Sequence, residues 1–205
     1  MVVGNGDLID LNIYDRLDSI TQDRCELVDL GCQIFKPIVD HASEFVMIGG
    51  TEAHTGKHHE LESELAARLG VPIAWWRGLR IEGVTFDICH KPATATRLKF
   101  RRRHAAARHA EILVHEAAMD RREPPDFVIR SHVHWFESSG EKNPPCMIYC
   151  PAWQLSTAFG HNALGVGGWQ EPVGGLWFKC DGGRAEWDVI RFKERDGDAT
   201  SRTAI

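Results

Sequence analysis

Four short apolar runs, at residues 1–3, 45–48, 84–89 and 127–129, are each cut off by glycine or a polar residue and separated by stretches of helical periodicity. A run that short, bounded by turn residues, is read as a buried strand. Between the first two, Ile13, Leu17, Ile20, Leu27, Ile34 and Ile38 recur at close to helical spacing and predict a helix interrupted near Gly31. Residues 58–69 predict a second helix, closed by Gly70 at its C-cap. Strands are predicted at 72–76 and 79–81, and a long helix at 97–121, capped by Thr96 with Leu98, Ala105, Ile112 and Leu113 as its inner stripe. Beyond Pro144-Pro145, residues 146–149, 175–179 and 185–192 read as antiparallel strands, the last two joined by the Asp181-Gly182-Gly183 turn. Alternating strands and helices followed by a run of strands imply an α/β domain with sheets packed on each other and helices outside. The predicted domain is 1–193, with a polar tail at 194–205.

Composition limits what such a domain does. At 205 residues and 43% hydrophobic content the chain can bury one core. A formal charge of -5 argues against a protein that coats nucleic acid. The basic residues Arg97, Lys99, Arg101, Arg102, Arg103 and Arg108 read as a solvated helix face, with guidance of a phosphate-rich substrate as the alternative. No apolar stretch reaches 18 residues and no secretion signal is recognisable, so the expectation is a cytoplasmic protein with no membrane partner. Six cysteines without a Cys-x-x-Cys pair read as reduced structural thiols.

In open α/β sheets, ligands gather at the carboxyl ends of strands. After the first run comes Gly4-Asn-Gly-Asp-Leu-Ile-Asp10, after the second Gly50-Thr-Glu-Ala-His54, after the third His90, and after the fourth Ser131-His-Val-His134. On extended backbone His132 and His134 point the same way, with Cβ atoms roughly 6 to 7 Å apart, a span that suits two neighbouring metal ions better than one. Such a mixture of carboxylate and imidazole is what hydrolytic divalent metals prefer, although a wet loop would also hold two histidines. His58 and His59 read as a solvated helix start, since adjacent residues on a helix face different directions. Trp153 and Gln154 either line the mouth of a site or pack, and Asp10 caps a helix or orients its loop.

Taken in order, Gly6-Asp7-Leu8-Ile9-Asp10, the Gly50-to-His54 segment, His90 and Ser131-His132-Val133-His134 resemble the motifs of the calcineurin-like metallophosphoesterases. The Gly-Thr-Glu-Ala-His variant and the stretch from Pro151 to Phe159 are most similar to phage and prophage-type members. The resemblance implies a sandwich of two mixed sheets flanked by helices, in four layers αββα. It also implies two divalent metal ions (manganese, iron, zinc or nickel) and hydrolysis of phosphodiesters or phosphomonoesters by a metal-activated water. The partner is then a phosphoester, with nucleic acid or a nucleotide as one class. Asp7 would bridge the ions, His90 and His132 would hold the second and His134 the first, and His54 would act as general acid or transition-state stabiliser. Glu52 is the expected oxygen ligand where the family has asparagine, with Thr51 as the alternative. The family's Asp-x-His motif ahead of Gly6-Asp7 is not in the sequence, so the resemblance also implies an N-terminally truncated form, which leaves the first ion only Asp7 and His134. The alternative function is a non-catalytic remnant or accessory domain with a single-metal half-site.

Overall fold

The computed structural model describes residues 1–11, 20–91, 104–140, 144–154 and 173–192. Strands β1 (Val2–Asn5), β2 (Phe45–Ile48) and β3 (Ile73–Ala74) form a parallel three-stranded sheet in the order β1-β2-β3. A second sheet has five strands in the order β4-β5-β6-β8-β7: β4 (Trp76–Ile81), β5 (Val84–Cys89), β6 (Phe127–Arg130), β8 (Cys146–Tyr149) and β7 (Glu137–Ser138). Its three central strands run parallel, while β4 and β7 are antiparallel edges. Strands β9 (Val173–Asp181) and β10 (Arg184–Phe192) make a long hairpin.

Side-chain alternation fixes how these sheets stack. On β2, Phe45 and Met47 point to one face and pack with Leu27 and Val28 of helix α1 (Arg24–His41) and Leu61 and Leu65 of helix α3 (Glu60–Leu69). Ile48 points to the opposite face and meets Val84, Phe86 and Ile88 of β5 and Phe127 and Ile129 of β6. Leu176, Phe178 and Trp187 of the hairpin close the same layer. The far face of the larger sheet, Val128, Met147 and Tyr149, lies under Ala105 and Ala106 of helix α4 (Ala105–Met119). Helices, sheet, sheet, helix matches the packed sheets with outer helices that the order of elements implied. All four residues of β2, β6 and β8 are buried, which is why those strands read as unbroken apolar runs.

Several local expectations change. Helix α1 runs straight through Gly31, which is buried, and ends at His41. Its covered stripe is Leu27, Val28 and Gly31, whereas Ile34 and Ile38 are 61% and 41% exposed. On α4 the covered residues are Ala105, Ala106, His109 and Ala117, and Ile112 faces out. Of the expected stripe, Ala105 is buried and Leu113 packs against the same core, so Ile112 is the described member that departs from it. Strand β8 pairs parallel with β6 and antiparallel with the short β7, and does not join the β9–β10 hairpin with which it was expected to form an antiparallel set. The two-residue strand β7 carries no readable pattern. Gly70 does close α3 in the left-handed conformation, at φ 68°. The expected start of the long helix with Thr96 and Leu98, most of the basic patch, the stretch 155–159 and the tail lie outside the described residues. None of the six cysteines is in a disulfide. Among the described residues no helix is long and apolar enough to cross a membrane.

Candidate metal centre

Because β1 and β2 run parallel, as do β5 and β6, the loops leaving all four open on one rim of the sandwich. There the ligand atoms of Asp7, His90 and His132 lie within 4.8 Å of one another, among the described residues the one such group of three. The Asp7 and His90 side chains are 11% and 4% exposed. His90 donates from Nδ1 to the Asn5 carbonyl at 2.7 Å, which turns Nε2 inward to 2.8 Å from Asp7 Oδ2. A carbonyl can only accept, so this bond sets the ring's orientation. His132 Nδ1 stands 4.0 Å from the same oxygen. Buried His90 Nε2 and His132 Nδ1 make no aligned hydrogen bond. Buried nitrogens without a well-aligned hydrogen bond are costly, and two of them converging on a carboxylate could hold a divalent cation. Burial pushes the Asp7 pKa up, but the two imidazoles outweigh it and hold the carboxyl far below its usual range. The group is a carboxylate at any pH where the protein would work.

Backbone strain falls on two of these residues and on His134. Asp7, His132 and His134 adopt φ of 53°, 69° and 60°, the left-handed region that non-glycine residues avoid at a cost of about 1 to 3 kcal/mol each. His132 and His134 therefore do not reach the site by alternation along a strand. They reach it on two tight backbone reversals, with Val133 N bonded back to Ser131 O at 2.8 Å. Ser131 ties the loops together: its N–H donates to the His90 carbonyl and its hydroxyl accepts from Asn5 Nδ2, each at 2.8 Å. Glycines allow the close approach. A Cβ at Gly6 would stand 2.4 Å from His90 Nδ1, and one at Gly50 would stand 2.1 Å from Asp7 Oδ1.

The Gly50-to-His54 segment forms a short helix, α2 (Glu52–Thr55). Thr51 N donates to Asp7 Oδ1 at 2.5 Å, and the Thr51 hydroxyl lies 3.2 and 3.3 Å from the two Asp7 oxygens. Glu52 turns away: its side chain is 59% exposed and accepts from His58 N at 3.0 Å. Thr51, the alternative to Glu52, is thus the residue that meets Asp7, while α2 begins at Glu52 and sends that side chain outward. His54 faces inward and pairs through Nδ1 with Asp10 Oδ1 at 2.8 Å, and Gln154 Nε2 donates to Asp10 Oδ2 at 2.7 Å. Asp10 thus orients a histidine, and Gln154 orients Asp10. That bond to Asp10 raises the His54 pKa against the opposing effect of burial, with the charges of Asp7 and Asp10 adding to it. His134 lies outside the group of three, yet the charges of His54, Asp7, His132 and His90 all act on it. Burial and its cationic neighbours push its pKa down to about 4, so it is a neutral imidazole with a lone pair to give.

One further residue was not legible. Glu62, 0% exposed on α3, accepts from Leu8 N at 2.9 Å and Gly50 N at 2.6 Å. It clamps the two loops that meet at Asp7. Burial raises its pKa, and the two N–H donors oppose that shift. Glu62→Ala leaves two buried N–H groups unpaired at about 1 to 3 kcal/mol each, so a loss of about 2 to 6 kcal/mol is expected in urea unfolding. A loss below about 1 kcal/mol would show that water replaces the carboxylate and that the clamp is not structural.

No family model matches the chain, and no curated protein matches it. Among solved structures it is similar to a single mutant of Vps29 from Entamoeba histolytica, at 9% identity and a TM-score of 0.44 over 94% of this chain and 99% of that one. It is also similar to the Thermotoga maritima protein TM1076, at 11% identity and a TM-score of 0.43 over 93% of this chain and 97% of that one.

Proposed function

We propose that this protein is a metal-dependent phosphoesterase of the calcineurin-like kind, in which Asp7, His90 and His132 hold a divalent ion and His134 is the imidazole available to a second. The observation that carries this reading is the convergence on the Asp7 carboxylate of two buried imidazole nitrogens that make no aligned hydrogen bond. A divalent ion bound there supplies Lewis acidity and a nucleophile at neutral pH. The chain's own residues do the rest. Thr51 N and the Thr51 hydroxyl fix the Asp7 carboxylate, and the Asn5 carbonyl and Ser131 fix His90. His54, with Nδ1 committed to Asp10, has Nε2 left to give a proton to the leaving oxygen or to bond a phosphoryl oxygen.

Hydrolysis of bis(p-nitrophenyl) phosphate by purified protein, with manganese, iron, zinc or nickel supplied in turn, tests the reading. The expected result is turnover that a chelator abolishes and manganese restores. Manganese bound in full with no ester hydrolysed under any of the four metals would sink it and favour a non-catalytic accessory domain.

A further inference from the structure

At the junction where β3 hands the chain to β4, Trp75 stands on the same rim as the metal centre. Ala74 O accepts from Gly49 N at 2.8 Å, which ties the residue before it to the end of β2. The edge of the indole lies on Gly49, where an added Cβ would stand 2.4 Å from Cζ3. His59 packs against the ring at 4.0 Å between centroids and an interplanar angle of 65°. His59 is itself fixed. Its Nδ1 donates to Thr55 Oγ1 at 3.1 Å, that hydroxyl donates to Thr51 O at 2.9 Å, and Thr51 N bonds Asp7. His58 and His59 hold φ of 56° and 57°, so this edge is strained in the way that ligand clamps are. With the indole held on one edge and at its side, 54% of Trp75 is still open to solvent. His59 lies between exposed His58 and exposed Glu60, with exposed Lys57 one position earlier, so the surround of the ring is polar and mixed in charge and not a broad apolar protein face.

We infer that Trp75, with His59 packed against it, is a stacking platform for a nucleobase, so that the substrates are phosphoesters of nucleosides. Planar bases stack on exposed aromatic side chains irrespective of sequence, and each stack contributes about 1 to 3 kcal/mol. The inference rests on the phosphoesterase reading for its catalytic arm but not for its binding arm.

Two esters with the same leaving group test it: thymidine 5′-(p-nitrophenyl phosphate) and ethyl p-nitrophenyl phosphate, each with manganese. Trp75→Ala should raise KM for the thymidine ester about tenfold with kcat held, and leave the ethyl ester within about twofold. Trp75→Phe should keep most of the difference. Trp76→Ala is the control, because Trp76 is 58% exposed but bonded to Asp87 across the larger sheet. Binding of thymidine 5′-monophosphate and of ethyl phosphate by calorimetry provides the second arm. The parent should prefer the nucleotide about tenfold, and Trp75→Ala should lose that preference. Equal effects of Trp75→Ala on both esters, or an equal affinity of the parent for both phosphates, overturn the platform. Absence of hydrolysis beside an intact nucleotide preference overturns only the phosphoesterase reading.

Discussion

Asp7→Ala protein dialysed against manganese should retain only a trace of the metal that the parent holds. Asp7 is the single carboxylate of the three-residue group, and its removal leaves two imidazoles with no anionic oxygen between them. Loss of a residue that only orients a ligand typically costs 10-fold to 100-fold in metal affinity, so loss of the shared ligand should cost more than about 100-fold. The Asn variant sharpens the result. Asp7→Asn keeps the side-chain shape and an oxygen for Thr51 N, but it removes the charge that draws His90 and His132 inward. If Asp7→Asn retains the fold yet also loses the metal, the carboxylate charge is the cause. Full metal content in Asp7→Ala would show that the ion sits elsewhere, and the centre built on Asp7 would be wrong.

The rim itself was legible in the sequence because it obeys two strong rules. Strands β2 and β6, buried on both faces, read as unbroken apolar runs, β1 and β5 as short apolar runs, and the residues just past the end of each run land on the same edge. Asp7, His54, His90 and His132 were singled out that way, and the structure brings all four near one another, the ligand atoms of Asp7, His90 and His132 within 4.8 Å. The geometry within the rim was less legible. His132 and His134 were expected to share a face by strand alternation, yet both sit in left-handed turns, where alternation does not apply. Whether Thr51 or Glu52 meets Asp7 depends on where a four-residue helix starts, and a shift of one position turns the side chain from the site to solvent. Glu62 was invisible because its role is carried by backbone N–H groups of Leu8 and Gly50, which leave no trace in residue identity. A buried glutamate on a covered helix face is the signal that would have found it: Leu61, Leu65 and Leu69 mark that face, and Glu62 lies on it.

His54→Ala should keep the metal and lose turnover. A positioned general acid typically contributes about 100-fold to 10,000-fold, and a loss in kcat of that size is expected on bis(p-nitrophenyl) phosphate. The pH profile separates this role from simple packing. The bond from Nδ1 to Asp10 raises the His54 pKa above 6.5, so the protonated ring persists to higher pH than in a free histidine, and the rate should fall as pH rises through that raised value. Asp10→Asn removes the anion that stabilises the imidazolium, and the alkaline limb should then move to lower pH with metal content unchanged. In His54→Ala the limb should vanish. The same linkage fixes the sign for stability: the His54–Asp10 pair contributes fully below about pH 6.5 and its contribution is lost as pH rises through the folded pKa. The pair is partly open to solvent, so the stability change is smaller than the kinetic one. Gln154, which holds the other oxygen of Asp10, provides the graded test. Gln154→Ala should lower kcat less than Asp10→Asn does and leave KM unchanged, since it loosens the orientation of Asp10 without removing the charge. An alkaline limb unmoved in Asp10→Asn, or turnover of His54→Ala equal to the parent's, would take His54 out of the proton transfer and leave the metal centre to act without it.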